Sequence, residues 1–361
     1  MGRCWFLVLL VGCGRFDFEA RVDGSTGDGT VDAGPPPNYV FVTSTKHLPT
    51  TFGADLSGAD AICNMRATEA GKPGTYVAWL STTTIQVRER LAGAQGWIRT
   101  DGKPFVDTVE DLVTTSRIYY PLDHDENGML VAGENVVTGT SDVGDTLSNC
   151  ADYSDPAQTI QFGAVEATAH GWTAESQASC AQTSRIYCFG IDRSVPLTVP
   201  QATGRMAFLT TANYIPDAGG LATADNLCAS EAASAGITGR TFRALLATTT
   251  APAVSRVSLT GATWVRTDGI ALFDAPADLM TGVMVAPLNV TAGKTYRIIQ
   301  AFTGATNAAS TSGSVVNCSN WTTSTGTGNV GLPSYISGYF FYDNLQQPPC
   351  GTGKPIYCFE Q

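Results

Sequence analysis

The sequence predicts an α+β protein of two tandem domains, each a copy of the other and each closed by disulfides. Three observations carry this. The length of 361 residues suits two domains, at roughly 150 residues apiece. Segments recur: Thr75-Tyr-Val-Ala-Trp-Leu-Ser-Thr-Thr-Thr84 returns as Thr241-Phe-Arg-Ala-Leu-Leu-Ala-Thr-Thr-Thr250, Trp97-Ile-Arg-Thr-Asp-Gly102 as Trp264-Val-Arg-Thr-Asp-Gly269, and Ile186-Tyr-Cys-Phe189 as Ile356-Tyr-Cys-Phe359. The cysteines keep the same frame: Cys63, Cys150, Cys180 and Cys188 answer to Cys228, Cys318, Cys350 and Cys358, at offsets of 165, 168, 170 and 170. Copy one is expected over 38–192 and copy two over 204–361, with a Pro-containing linker at 193–203.

Composition narrows the setting. Hydrophobic residues at 43% exclude wholesale disorder. Only 15% of residues are charged, while Gly (38) and Pro (18) are plentiful, which describes a loop-rich exported protein. With 21 basic residues against 32 acidic ones, the net charge is −11. A nucleic-acid or polyanion partner is therefore not expected.

From the amino terminus, Cys4 to Gly12 is an apolar run preceded by Arg3. It is too short to span a bilayer, which needs about 20 residues, and fits a signal over residues 1–12. Leu10-Val11-Gly12-Cys13 resembles a bacterial lipoprotein box, in which the small residue before the cysteine admits the peptidase and the thiol receives the lipid. Cys13 is then the lipidation site. The expected location is the cell envelope, at the outer membrane or cell surface, with the membrane reached through acyl chains at about 0.8 kcal/mol per buried methylene. Residues 13–37, ending in Pro35-Pro36-Pro37, read as a flexible acidic Gly/Pro tether.

Each copy opens with a β-rich run, Tyr39–Thr43 or Met206–Thr210. A helix follows. Ser57-Gly-Ala-Asp60 resembles a capping box and Gly71 suits the stop, with Ile62, Met65 and Ala70 as the apolar stripe. Thr223 and Gly236 bracket the equivalent helix in copy two. The Tyr76 and Phe242 segments read as strands, and short strands divided by turn residues complete each α+β domain. Four cysteines per copy allow three pairings, without CxxC spacing or histidines at zinc intervals. Cys63 mid-helix and Cys188 on the last strand favour nesting: 63–188 around 150–180, and 228–358 around 318–350.

Copy two, from Cys228-Ala-Ser-Glu-Ala-Ala-Ser-Ala-Gly-Ile-Thr-Gly-Arg-Thr-Phe-Arg-Ala-Leu-Leu246 through Asp268-Gly-Ile-Ala-Leu-Phe273, Phe302-Thr-Gly304, Cys318-Ser-Asn-Trp321 and Ile356-Tyr-Cys358, resembles the endostatin module of certain collagens. Copy one follows the same frame, with Asn149-Cys-Ala-Asp-Tyr153 in place of Asn317-Cys-Ser-Asn-Trp321. The whole chain is similar to bacterial lipoproteins with tandem domains of this kind. The resemblance implies a C-type-lectin-like fold with nested disulfides, a fold that hosts many unrelated functions. The role expected of this chain is non-catalytic binding of a glycan or a protein. The resemblance does not carry over endostatin's basic site, because Arg240, Arg243, Arg256 and Arg266 sit in an acidic chain. Nor does it carry over zinc, because His47, His124 and His170 all lie within copy one.

Several constellations are candidates for a site. Asp123-His-Asp125-Glu-Asn127-Gly128 followed by Glu134 fits a calcium loop, with Asp123, Asp125, Asn127 and Glu134 as ligands. Copy two keeps the turn and loses the acids, so a hairpin turn alone explains the same residues. Arg99 and Asp101, with Arg266 and Asp268, either face a ligand groove or follow a core Trp into an Asp-Gly turn. Trp321 packs on a disulfide or offers a sugar platform. The Tyr335, Tyr339–Tyr342 run packs in a core or stacks on sugar. No G-x-S-x-G, HExxH, P-loop or dinucleotide motif occurs, and copy two has no histidine, so an enzyme is not expected. A structural envelope protein without a small ligand is the alternative; a hydrolase of wall or matrix polymer is the third reading.

Overall fold

The computed structural model describes residues 37–313 and 316–361, so Cys13, the expected signal and the tether before Pro37 lie outside the described residues. What is described is α+β: two long helices, several short-stranded sheets and four disulfides. Among the described residues no helix is long and apolar enough to cross a membrane.

In copy one, β1 (Asn38–Val42) is buried on nearly every residue because it lies mid-sheet. It pairs antiparallel with the last strand, β8 (Arg185–Gly190), and parallel with β3 (Trp97–Arg99). β2 (Tyr76–Ala78) also pairs with β8. Through β4 (Pro104–Val106), β5 (Asn135–Val137), β6 (Thr159–Ala164) and β7 (Ser176–Ser179) the order is β4-β3-β1-β8-β5-β6-β7. Copy two repeats the centre of this sheet with β9 (Arg205–Leu209), β10 (Phe242–Ala244), β11 (Trp264–Arg266) and β14 (Tyr357–Glu360), in the order β10-β14-β9-β11. A separate pair joins β12 (Ala301–Phe302) to β13 (Val330–Gly331). In both copies the first and last strands are neighbours.

The long helices run over Ser57–Glu69 and Leu221–Ser234. The expected capping box is not formed. Leu56 precedes the helix at φ +64°, and Ser57 Oγ turns back to Asp55. Asp60 instead docks the helix onto the sheet, accepting from Ala78 N–H at 2.9 Å and pairing with Arg90; Asp225 does the same with Ala244 N–H and Arg256. The buried face is Ala59, Cys63 and Ala67, not the expected stripe, and Met65 is half exposed. Alanines flanking the cysteine let the helix lie close to the sheet, and so Cys63 reaches Cys188. All four bridges are nested as expected: Cys63–Cys188 around Cys150–Cys180, and Cys228–Cys358 around Cys318–Cys350.

The helix and disulfides fill one face of each sheet. The other face carries an aromatic core, in copy one Trp79, Trp97, Trp172 and Phe189. Each indole removes about 150–250 Å² from water, roughly 4–6 kcal/mol apiece at 25 cal/mol per Å².

Each inner disulfide begins on a left-handed turn. Cys150, Ala151, Asp152 and Tyr153 have φ of +61°, +51°, +53° and +61°, and Cys318, Ser319, Asn320 and Trp321 have +53°, +52°, +58° and +68°. Asn149 and Asn317 cap these turns, accepting from the N–H of Asp152 and Asn320 at 3.0 Å. Asp152 and Asn320 in turn accept from the N–H of Thr83 and Thr249 at 2.8 Å, tying the turn to the repeated Thr-Thr-Thr loop.

The copies dock directly. Thr168 N–H donates to Ser334 O at 2.8 Å and Ile336 N–H to Glu166 O at 3.0 Å, with Tyr335 Oη donating to the Glu175 carboxylate. The expected linker is bound at both ends: Asn38 accepts from Arg193 N–H and donates to Arg193 O, Leu197 N–H donates to Asp107, and Ala202 N–H to Gly269 O. Gly96, at φ +76°, admits this segment, since a Cβ there would lie 2.0 Å from Val195 O.

Candidate functional site

The repeated Trp-Xaa-Arg-Thr-Asp-Gly motif builds the same device in each copy. Trp97 and Trp264 are core residues, their Nε1 atoms donating to Gly190 O and Glu360 O at 2.8 Å. Beyond each Trp the strand ends in a tight turn, closed by Arg99 N–H to Lys103 O and by Arg266 N–H to Ile270 O. Gly102 and Gly269 supply its φ of +85° and +88°. The turn folds the aspartate back onto its own arginine. Arg99 grips Asp101 through Nε (3.0 Å) and Nη2 (2.5 Å), and Arg266 grips Asp268 at 2.9 and 2.6 Å. Nη1 of each donates to a proline carbonyl, Pro121 or Pro287. Both arginines are 1% exposed, and each buried guanidinium is compensated by an aspartate that keeps contact with solvent.

The devices differ in how they are completed. In copy two Tyr296 Oη accepts from Arg266 Nη2 and donates to Asp268 Oδ2, both at 2.7 Å. In copy one Arg99 Nη1 also binds Asp123, whose Oδ1 lies 2.7 Å from His124 Nδ1; His124 Nε2 stops 3.6 Å from Asp101 Oδ2. Burial pushes the Asp101 and Asp268 carboxyls up, but the hydrogen bonds and charges of Arg99 and Arg266 overcome it and hold both below the usual carboxylate range. Burial, with Asp268 opposing Arg266, raises the Tyr296 phenol, so it stays a neutral hydroxyl.

Both devices back onto one dipeptide at the junction of the copies. The Tyr120 ring lies 5.8 Å from the Arg99 guanidinium, and Tyr119 O lies 3.4 Å from Arg266 Nη1. Tyr119, Arg117 and Tyr296 cover the copy-two device, leaving about 210 Å³ beside it. Beside the copy-one device lies a cleft of about 570 Å³ between the copies, which Arg99 lines and Asp101 does not. Arg99, Lys103, Asp123 and His124 form its polar end. Leu130–Ala132 of copy one face Val283–Val285 and Ile336 of copy two across it. At Glu166, Ser337 and Gly338 it continues into a groove of about 350 Å³ that carries Tyr339 and Tyr342.

The structure brings together Arg99, Asp101 and Asp123, and separately Arg266 and Asp268. It does not gather the expected calcium ligands. Asp123 is held by Arg99, Asp125 accepts from the N–H groups of Asn127 and Met129, and Glu134 pairs with Lys46. Gly128 at φ +78° and the Asp125 N–H to Met129 O bond make this segment a turn. Among the described residues no group of three or more His, Cys, Asp or Glu side chains comes together to hold a metal ion. Trp321 is corrected as a sugar platform: it is wholly buried, with Nε1 bound to Ala247 O. The aromatic run divides, Phe340 and Phe341 entering the core while Tyr339 stays 44% exposed. His124 and Tyr296 were not singled out from sequence. Aligning the copies from Pro121 and Pro287 places Tyr296 opposite Leu130 and was the available signal. No family model and no curated protein matches the chain.

Proposed function

We propose that this chain is a non-catalytic binding protein of the cell envelope, held to the membrane through a lipid on Cys13, and that its ligand lies in the cleft between two lectin-like copies. The observation that carries the reading is the cleft itself: both copies build its walls, and it joins a charged end to an apolar middle and an exposed tyrosine groove. Sites of this composition suit small ligands with one apolar face and several polar groups. His124 and Asp123 form a pair with no hydroxyl or thiol bonded to Nε2 among the described residues, so the geometry favours recognition over acyl or group transfer. Support for export comes from the Leu10–Cys13 box and from four disulfides, which persist in oxidising compartments. The endostatin-like assignment rests on the repeated cysteine frame, the nested pairing and a central sheet common to both copies.

A glycan array probed with the full mature chain, with and without chelator, tests the reading. Binding that persists in chelator is expected, because Asp123, Asp125 and Glu134 already have protein partners. Silence across the array overturns it in favour of a structural envelope protein. Intact mass of the membrane-extracted protein tests the anchor: loss of residues 1–12 and added acyl mass at Cys13 are expected, and an unmodified Cys13 refutes it.

A further inference from the structure

We propose that the tyrosine groove at the seam of the copies is a subsite for an amino sugar, and that Glu166 takes the ammonium of an unsubstituted hexosamine there. This rests on the binding reading above and adds the ligand's class and its point of attachment.

The groove is lined by Glu166 of copy one and by residues of copy two, Thr306, Ser337, Tyr339, Tyr342 and Asn344 among them. Docking of the copies fixes the carboxylate in place. Glu166 O accepts from Ile336 N–H across the seam at 3.0 Å, and Glu166 Oε1 accepts from Gly133 N–H at 2.8 Å. Among the described residues Oε2 has no hydrogen-bond partner, and no Lys, Arg or His pairs with it. The lining of the groove contains no basic residue. Glu166 is partly exposed and borders both the groove and the larger cleft, so a guest in either meets it. Ser337 borders both as well. Its buried hydroxyl has no partner, so one χ1 rotation offers it to a guest without breaking a bond. Tyr339, 44% exposed, is steadied against Tyr335 with ring centroids 5.5 Å apart.

The guest is decided by this chemistry. An uncompensated carboxylate beside two phenol rings attracts a cation, through a charge-assisted bond and through the ring faces. A carboxylate, sulfate or phosphate is repelled by Glu166 and finds no base in the groove, and the chain's net charge of −11 adds to that repulsion. A quaternary ammonium has no N–H for Glu166. A primary ammonium has three. The neutral polar side chains Thr306, Ser337 and Asn344 both donate and accept, which suits hydroxyls placed around the ammonium. A hydroxylated ring carrying a primary amine meets all of these demands, with its C–H face on Tyr339 and the next residue of the chain entering the cleft.

The experiment titrates the full mature chain by calorimetry with a glucosamine tetramer and with its fully N-acetylated counterpart, at about pH 6, where such amines are protonated. The two probes have the same backbone and differ in charge. The free amine is expected to bind about tenfold tighter or more, the worth of one charge-assisted bond. Glu166→Gln keeps an oxygen for Gly133 N–H and is expected to remove that preference. Glu89→Gln removes one exposed negative charge outside both cavities and is expected to retain it. Tyr339→Ala is expected to weaken the amino tetramer by about threefold or more. Equal loss in Glu166→Gln and Glu89→Gln overturns the subsite, since the acidity of the whole chain then explains the preference. No loss in Tyr339→Ala overturns the groove as the platform. Tetralysine competing as well as the amino tetramer overturns the saccharide class. Equal or tighter binding of the acetylated tetramer overturns the amino-sugar subsite and leaves glycan binding standing, whereas silence of every saccharide removes both.

Discussion

Replacing Ala151 with glycine, a change that ordinarily weakens a protein, is expected to strengthen this one. Four successive residues in each copy hold left-handed backbone, and each non-glycine residue there costs about 1–2 kcal/mol. Over Cys150–Tyr153 that is roughly 4–8 kcal/mol, all at positive φ. Three of the four side chains justify it: Cys150 bonds Cys180, Asp152 takes Thr83 N–H, and Tyr153 fills the core and donates to Ser81 O. Ala151 does none of this and is exposed. Glycine relieves its share of the strain, about 1–2 kcal/mol, against an extra unfolded-state entropy of roughly 0.5–1 kcal/mol. The net expectation is a gain of about 0.5–1 kcal/mol. Ser319→Gly, the equivalent exposed position in copy two, should gain the same, and the pair should add because the sites share no partners. Guanidinium unfolding of the oxidised protein reads this as a higher midpoint at unchanged m-value. A loss of 0.5 kcal/mol or more in either variant, the usual result at an ordinary site, refutes the strain argument.

Paired Cys→Ala substitutions should rank by loop length. Removing Cys150–Cys180, with 30 residues enclosed, is expected to cost about 3.6 kcal/mol. Removing Cys63–Cys188 encloses 125, of which the inner bridge short-circuits 30, and is expected to cost about 4.7 kcal/mol. Unfolding midpoints in the reverse order would count against the entropic account. Acid stability follows from Asp101, Glu126 and Asp268, whose carboxyls are held below their ordinary values in the folded state against the opposing effect of burial. Such groups stabilise fully above their unfolded values, near pH 4, and the contribution disappears as pH falls through the lower folded values. The midpoint should stay level from about pH 7 to 5 and drop below pH 4, and Asp268→Asn should lower the neutral value while flattening the acid limb. A wild-type midpoint that holds level to pH 3 overturns this.

The cysteine frame and the repeated segments were legible because a duplicated chain aligns with itself, and that alignment located β2, β3 and β8 with their counterparts, while β1 and β9 showed as β-rich runs. The helix face was misread because apolar side chains were counted, whereas the buried positions Ala59 and Ala67 are chosen for smallness beside Cys63. The capping box failed because Asp60 is engaged by β2 and Arg90, partners distant in sequence. The left-handed turn has no glycine to announce it, since its strain is compensated by contacts made only after folding. The cleft was invisible for a plainer reason. Its walls come from 99–132, Glu166 and 274–338, and nothing local reports that two copies will meet.

Asn38 stands where copy one begins and where it ends. Its amide clasps Arg193 from both sides, and it opens a strand lying next to the one that closes copy one. The chain therefore leaves copy one almost where it came in. A module with such adjacent ends can be spliced in tandem without stretching its neighbours, and the seam it creates is new surface that neither unit owned before. Gene duplication alone would then suffice to bring two walls together around a cleft that a lone unit lacks.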